Sequence, residues 1–465
     1  VKEETLKTTL YRLIAILAIL APLISFAADE ETSTNILAEL RRLRSRLEAL
    51  EKDRAGGNQP AQTNRPLPAT RAAPALADSR LDDLRQAARD EIDTYAEEPD
   101  DQTGFISKAL GLQALNPEIS VTGDMLGSYT DSETTDQNWD FLFRGLGLHF
   151  EAYLDPYTHF KAAVSANEHN TTLGEAYLTR FGILPQVNLT LGKFRQQFGV
   201  VNRWHKHGLD QVDFPLALRM IFGNGGLNQT GGSIEWTMPN FAGLSHATIA
   251  QITDGQNSHV FGQNADNIPS GLLRYRMYRD ISISTYAELG VSALYGQNNR
   301  WPIDTISMDD SLNAWVFGID YSMVWEPTDR MRYRNVTWRT EAYAMDKEIL
   351  APNDSGQDAL TPWGAYSYLE SKISRTLVVG ARVDYYHPDV KPYAAAGTTT
   401  LSPLAVTEDG ARVWQVCPYL TWYPSPFVHF RLEYDHANAR GLDVAENVLW
   451  LQCVFAAGPH KHDRY

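Results

Sequence analysis

From residue 116 onward the chain alternates apolar and polar residues with a period of two, segment after segment. Val428, Phe430, Leu432 and Tyr434 alternate with His429, Arg431, Glu433 and Asp435. Trp315, Phe317, Ile319, Tyr321, Met323 and Trp325 share one face, opposite Asp320 and Ser322. Val336, Trp338, Thr340 and Ala342 oppose Thr337, Arg339 and Glu341, and Leu377, Val379, Ala381, Val383 and Tyr385 oppose Arg382 and Asp384. Successive side chains of a strand point to opposite faces, so each segment has one apolar and one charged side. Sixteen strands are predicted, near 118–130, 140–154, 157–167, 172–183, 187–198, 230–238, 244–253, 270–279, 283–296, 312–325, 334–346, 362–373, 376–387, 411–423, 426–437 and 446–457.

The connections decide what covers the apolar side. Short joins at Asp155-Pro156, Leu184-Pro185-Gln186, Pro239-Asn240, Arg279-Asp280, Pro327-Thr328-Asp329, Ser374-Arg375 and Pro424-Ser425 alternate with longer ones. A soluble sandwich has no reason to keep that asymmetry. An up-and-down membrane barrel does, with tight periplasmic turns and long external loops. The expectation for 116–465 is therefore all-β, a 16-stranded antiparallel transmembrane β-barrel with its apolar face on outer-membrane lipid and its charged face on a wet lumen. Tyr153, Tyr157, Trp236, Trp325, Trp422 and Tyr423 fall near the short turns, where an aromatic girdle belongs. Arg144 lies on the apolar side of its strand, where it either snorkels or marks a bulge.

No run of apolar residues after the N-terminus is long enough for a spanning helix, which needs about 20. The 41 Lys and Arg against 57 Asp and Glu make an acidic chain, so no nucleic-acid partner is expected. Lys2, Lys7 and Arg12 precede an apolar stretch from Leu13 to Ile24, and Ser25-Phe26-Ala27 follows. That reads as a signal peptide over 1–27. A short anchor helix is the alternative. Ile36, Leu40, Leu43, Leu47 and Leu50 form a heptad seam in 28–57, a short coiled-coil helix that serves as an oligomerising stalk or docks elsewhere. Residues 58–115 hold a Pro/Ala-rich linker and a second helix over Ser79 to Tyr95. Export places this segment in the periplasm. Cys417 and Cys453 lie within strands and are expected as small apolar residues rather than a bridge.

The connection from Gly199 to Gln229 is the third on the long side. It carries Trp204, Phe214, Leu216, Leu218, Met220, Ile221 and Phe222, too many apolar groups for a loop in water. Folding inward would bury them and make a constriction at which Arg203, His205, Lys206, His207 and Arg219 face the pore. Two other roles for these cations stay open, capping the barrel surface or contacting a neighbouring subunit. His205-x-His207 lacks a third ligand, so no metal is expected.

A family resemblance rests on several stretches. They are Asn116-Pro117-Glu118-Ile119-Ser120-Val121, Leu154-Asp155-Pro156-Tyr157, Gly174-Glu175-Ala176-Tyr177-Leu178-Thr179, Gly192-Lys193-Phe194-Arg195 with Phe198-Gly199, Asn202 with His205 and His207, and Gly458-Pro459-His460 before a terminal aromatic. The chain resembles the phosphate-selective porin O/P type of the outer-membrane porin superfamily, in an uncharacterised branch. The resemblance implies a homotrimeric diffusion channel without cofactor. Lys193, Arg195, Arg274, Arg276, Arg339, Arg382 and Arg431 are then expected as pore lining, together with Glu341, Asp384 and Glu433. Neighbouring charges are expected to cancel, Arg382 with Asp384 and Arg431 with Glu433 or Asp435. Inward acids outnumber inward bases, so phosphate specificity does not carry over. The expected function is passive passage of small ions or hydrophilic solutes, with anions as candidates. No Gly-x-Ser-x-Gly or His-Glu-x-x-His motif occurs, and no enzyme is expected. The competing reading is a tether that links the barrel to the cell wall through its N-terminal helices.

Overall fold

The computed structural model describes residues 118–131, 138–262, 268–300, 307–328, 334–350, 357–389, 412–440 and 447–458. The signal peptide, coiled coil, linker and terminal aromatic expected above lie outside the described residues. All described residues belong to one compact unit.

The strands are β1 (Glu118–Asp131), β2 (Trp139–Asp155), β3 (Thr158–Ala166), β4 (Thr171–Leu184), β5 (Val187–Arg195), β6 (Asn228–Phe241), β7 (Leu244–Thr253), β8 (Ser270–Ser282) and β9 (Thr285–Arg300). They continue as β10 (Ser307–Trp325), β11 (Asn335–Leu350), β12 (Gln357–Leu360), β13 (Trp363–Lys372), β14 (Leu377–His387), β15 (Arg412–Ser425), β16 (Val428–Arg440) and β17 (Asn447–Ala457). Neighbours in sequence pair antiparallel except β12 and β13, and β1 pairs with β17, so the sheet closes. β12 and β13 both pair with β11, at Lys347–Leu350 and Asn335–Ala344 respectively. They are two pieces of one strand, which makes sixteen positions around the barrel. Closure leaves no edge strand to be capped.

Several strands run further than the alternation predicts. β6 and β8 continue past the expected joins at Pro239-Asn240 and Arg279-Asp280, and the turns fall at 242–243 and 283–284. Polar residues beyond the apolar belt can keep the ladder going, because hydrogen bonding does not depend on which solvent a face meets. β5 does the opposite and ends at Arg195, short of the predicted 198.

The outward face is apolar. Leu191, Ile252, Leu273, Leu369, Leu432 and Leu451 lie on it and are 45–67% exposed. Tyr153, Tyr157, Trp236, Trp325 and Trp422 are exposed near the short turns. Trp139, Phe141 and Trp414 are exposed toward the opposite end. Both cysteines are free thiols, with Cys417 buried on the inward face and Cys453 on the outward side.

Arg144 marks a bulge. Asp124 pairs with Gly145 and Met125 with Phe143, so Arg144 is the extra residue on β2. The bulge turns its side chain inward, onto Asp124.

Candidate functional site

The connection 196–227 lies inside the barrel. Phe198, Phe214, Leu216, Leu218, Ile221 and Phe222 are each at most 2% exposed. They pack on inward-facing Tyr343, Tyr366, Tyr368 and Tyr386 and on Leu294 and Val316. A large side chain buried this fully contributes about 1.5–3 kcal/mol, which explains why the loop prefers the wall to water. Pro215 opens a helix, α1 (Leu216–Phe222), and Gly223 ends it with φ 86°. α1 packs against β11, β13 and β14.

An irregular backbone inside a barrel needs hydrogen-bond partners. The wall supplies them with charged side chains. Glu341 Oε1 accepts from the N–H of Val200 and Val201 at 3.1 and 3.0 Å. Asp384 Oδ1 accepts from Leu216 N and Glu433 Oε2 from Val212 N, both at 2.9 Å. Arg274 donates to Gly199 O, Arg382 to Asp213 O and Arg431 to Leu209 O. Arg339 donates to Ser322 and Tyr368 and sits over the Trp204 ring at 4.6 Å.

These residues were expected to line the pore. Instead the loop covers them: Arg274, Arg339, Arg382 and Arg431 are 1–4% exposed, and Glu341, Asp384 and Glu433 are 0–1% exposed. Arg382 pairs with Asp384 at 2.7 Å, as the alternation suggested. Arg431 does not pair with Glu433 or Asp435. Its donors go to Thr421 Oγ1, Gln452 Oε1 and Leu209 O, because the loop carbonyl and the neighbouring inward polar groups reach it first.

The open part of the lumen follows the other wall, β2 to β7. A cavity of about 340 Å³ toward the short-turn end is lined by Lys161, Thr179, Asn188, Arg203, Ser233 and Glu235 among others. A second, of about 580 Å³ toward the long-loop end, is lined by Arg144, Lys193, Lys206, His207 and Asn224 among others. Three residues line both: His149, Arg195 and His205. The His149 ring is 5.2 Å from each of the His205 and His207 rings, and His205 Nε2 lies 2.8 Å from Glu175 Oε2.

The five expected constriction residues therefore separate. Arg203 lines the lower cavity, Lys206 and His207 the upper, and His205 both. Arg219 lines neither of them and turns to Asp213 at 3.8 Å. Asp213 also meets Lys206 at 3.0 Å and Arg144 at 3.8 Å. Burial pushes its carboxyl up, but Arg219, Lys206 and Arg144 outweigh burial and hold the pKa at about 2. Arg276 pairs with Glu235 at 3.1 Å and Lys161 with Glu151 at 3.4 Å.

Among the described arginines that line the two cavities, Arg195 and Arg203 have no carboxylate bonded to their guanidinium, whereas Arg144 has Asp124. Arg195 Nη1 donates to the carbonyls of Asn202 and Gly225. Arg203 has a buried Nε without a hydrogen-bond partner. Burial, then the charges of Arg274 and Arg276, lower its pKa to about 10, which leaves it charged at neutral pH. Sequence reasoning did not single out His149 or Lys161. The signal was present, since each is flanked by apolar residues of the outward face, Leu148 and Phe150 for His149.

No family model matches the chain. An uncharacterized protein of Aquifex aeolicus (strain VF5) is 30% identical over 135 residues, 28% of each chain. The chain thus matches just over a quarter of that relative's length. Among solved structures it is similar to the outer membrane channel DcaP of Acinetobacter baumannii, with 13% identity over 74% of this chain and 97% of that one and a TM-score of 0.48. It is also similar to OprB of Pseudomonas putida, at 10% identity over 76% and 97% and a TM-score of 0.48. The anion-selective porin from Comamonas acidovorans shows 8% identity over 74% and 99%, with a TM-score of 0.47.

Proposed function

We propose that the chain is an outer-membrane porin, a passive diffusion channel for small hydrophilic solutes. The observation that carries this reading is the pairing of an apolar outer face with two polar lumen cavities that share His149, Arg195 and His205. An open band of exposed leucines and aromatics needs lipid. Sixteen strands leave a lumen too wide for wall side chains alone to fill. The loop 196–227 narrows it from one side, and the passage runs along β2 to β7. His149, Arg195 and His205 form its narrow level.

Anions are the preferred solutes in this reading. The chain's acidity does not set the field in the passage, because Glu341, Asp384 and Glu433 are covered by the loop. Glu175 is bonded by His205 and by the N–H of Arg195, and Glu235 by Arg276. Arg195 and Arg203 are left to act on the solute. In a narrow, partly dehydrated lumen a free cation attracts anions more strongly than in bulk water. Trimer formation and a periplasmic N-terminal segment belong to the same proposal, supported by the family resemblance.

The test is the reversal potential of purified protein in a planar bilayer under a KCl gradient. An anion-selective potential is expected. A cation-selective potential would overturn the anion preference, and no conductance would overturn the channel.

A further inference from the structure

The wall beneath the middle of the loop carries a second constellation. β15 and β16 pair through Val416 with His436 and Tyr419 with Glu433, which sets Cys417 opposite Asp435. Cys417, Glu433 and Asp435 all point inward, and one ligand atom from each lies within 4.8 Å of the others. Cys417 is 0% and Glu433 1% exposed. Asp384, on β14, stands 3.9 Å from the Cys417 sulfur through Oδ2.

The carboxylates here are short of partners. Glu433 Oε2 accepts from Val212 N and Asp435 Oδ2 from Trp450 Nε1. Glu433 Oε1 and Asp435 Oδ1 are buried and accept nothing. Neither nearby arginine fills the gap. Arg382 gives its donors to Asp384, the Asp213 carbonyl and the Cys417 sulfur at 3.5 Å. Arg431 gives its donors to Thr421, Gln452 and Leu209. A buried, unsatisfied carboxylate oxygen costs free energy, and two of them facing a thiol call for a bound cation or a shared proton.

We propose that Cys417, Glu433 and Asp435 form a binding site for a thiophilic divalent cation of the zinc class. One sulfur and two carboxylate ligands suit a borderline-soft ion in a tetrahedral site, whereas calcium and magnesium take oxygen alone. Zinc ligands sit about 2.0–2.3 Å from the metal, so the ligand atoms of a tetrahedral site stand about 3.3–3.7 Å apart. Binding would draw the three groups together by about 1 Å from the present spacing. Asp384 or a water completes the four. Arg382 bonds both Asp384 and the sulfur, so it orients two of the groups and favours the thiolate. On binding, the thiol proton goes to solvent, and the ion offsets the excess of carboxylates over arginines. Glu433 also holds Val212, so the ion would brace the loop against the wall. The proposal does not depend on what the channel passes.

The test uses the full chain extracted from membranes in detergent and stripped of metal with chelator. Cadmium alone is the probe, and the thiolate-to-cadmium charge-transfer band is the readout. The expected result is a band that saturates at one equivalent and is displaced by zinc. It persists in Cys453→Ser, disappears in Cys417→Ser, and needs about tenfold or more cadmium in Asp435→Asn. Heat-modifiable migration on electrophoresis checks that each variant forms the barrel. A missing band in the wild type, or a band that survives Cys417→Ser, would overturn the site in favour of a proton shared by Glu433 and Asp435. If Cys417→Ser does not fold, zinc-edge X-ray absorption of the zinc-loaded wild type decides. One sulfur in the shell supports the site, and an all-oxygen and nitrogen shell overturns it.

Discussion

Glu341 on β11 accepts hydrogen bonds from the backbone N–H groups of both Val200 and Val201, across the lumen and far along the chain. The contact needs Gly199 just before it. Gly199 has φ 62°, and a Cβ there would fall on the Glu341 carboxylate. Glu341→Ala leaves two buried N–H groups unpaired, at about 1–3 kcal/mol each. Single-channel recordings of this variant should show larger and noisier conductance than the wild type. Glu341→Gln keeps one carbonyl acceptor and should fall between. Unchanged conductance in Glu341→Ala would mean that the apolar cluster alone holds the loop.

Selectivity should depend on which cations the loop leaves uncovered. Arg203 lines a cavity, whereas Arg382 lies beneath the loop at 1% exposure. Arg203→Ala is expected to move the reversal potential toward the cation side, with the shift shrinking at high salt as screening grows. Arg382→Met should change selectivity little while lowering resistance to denaturant, because Asp384 loses its partner. Equal selectivity shifts from both variants would count against the loop as a cover.

The strands were legible because a membrane barrel leaves a period-two signature that no other constraint disturbs. Leu432 and Glu433 announce opposite faces by their chemistry, and each is found on the face expected. Strand ends were less legible, since β6 runs on to Phe241 past Pro239 and Asn240 across a register shift that alternation does not announce. The inward turn of Arg144 was open, because a bulge depends on the register of β1 against β2 rather than on either strand alone. The loop's burial showed in its apolar residues, but not the wall it would choose. Tyr343 on β11, Tyr366 and Tyr368 on β13 and Tyr386 on β14 make that choice together. For the same reason, Arg339 and Arg431 read as pore lining although they end up covered.

Asp213 ties Lys206, Arg219 and Arg144 together, and its folded pKa of about 2 lies below the ordinary 3.8. The ionised form is favoured by the folded loop. Its stabilisation is therefore complete above the ordinary value and lost as pH falls toward about 2. Conductance should hold steady from neutral pH down to the ordinary carboxylate range and become unstable below it. Asp213→Asn should show that instability already at neutral pH. A variant as steady as the wild type at neutral pH would remove Asp213 from the loop's support.

The ladder between β1 and β2 carries an ion pair at its bulge. Arg144 donates through Nε to Asp124 Oδ2 at 2.8 Å, and through Nη1 to Val212 O at 2.6 Å. The same Asp124 accepts from Gln452 on β17, so the three strands that close the barrel meet at this carboxylate. Removing the arginine strands a buried charge, which costs about 3–5 kcal/mol. Arg144→Met should lower the urea midpoint of unfolding, followed by heat-modifiable migration on electrophoresis. Replacing the charge as well, in Arg144→Met with Asp124→Asn, removes the stranded carboxylate and should recover most of the loss. A double variant no more stable than Arg144→Met would show that the bond to Val212, and with it the loop, matters more to the ladder than the ion pair.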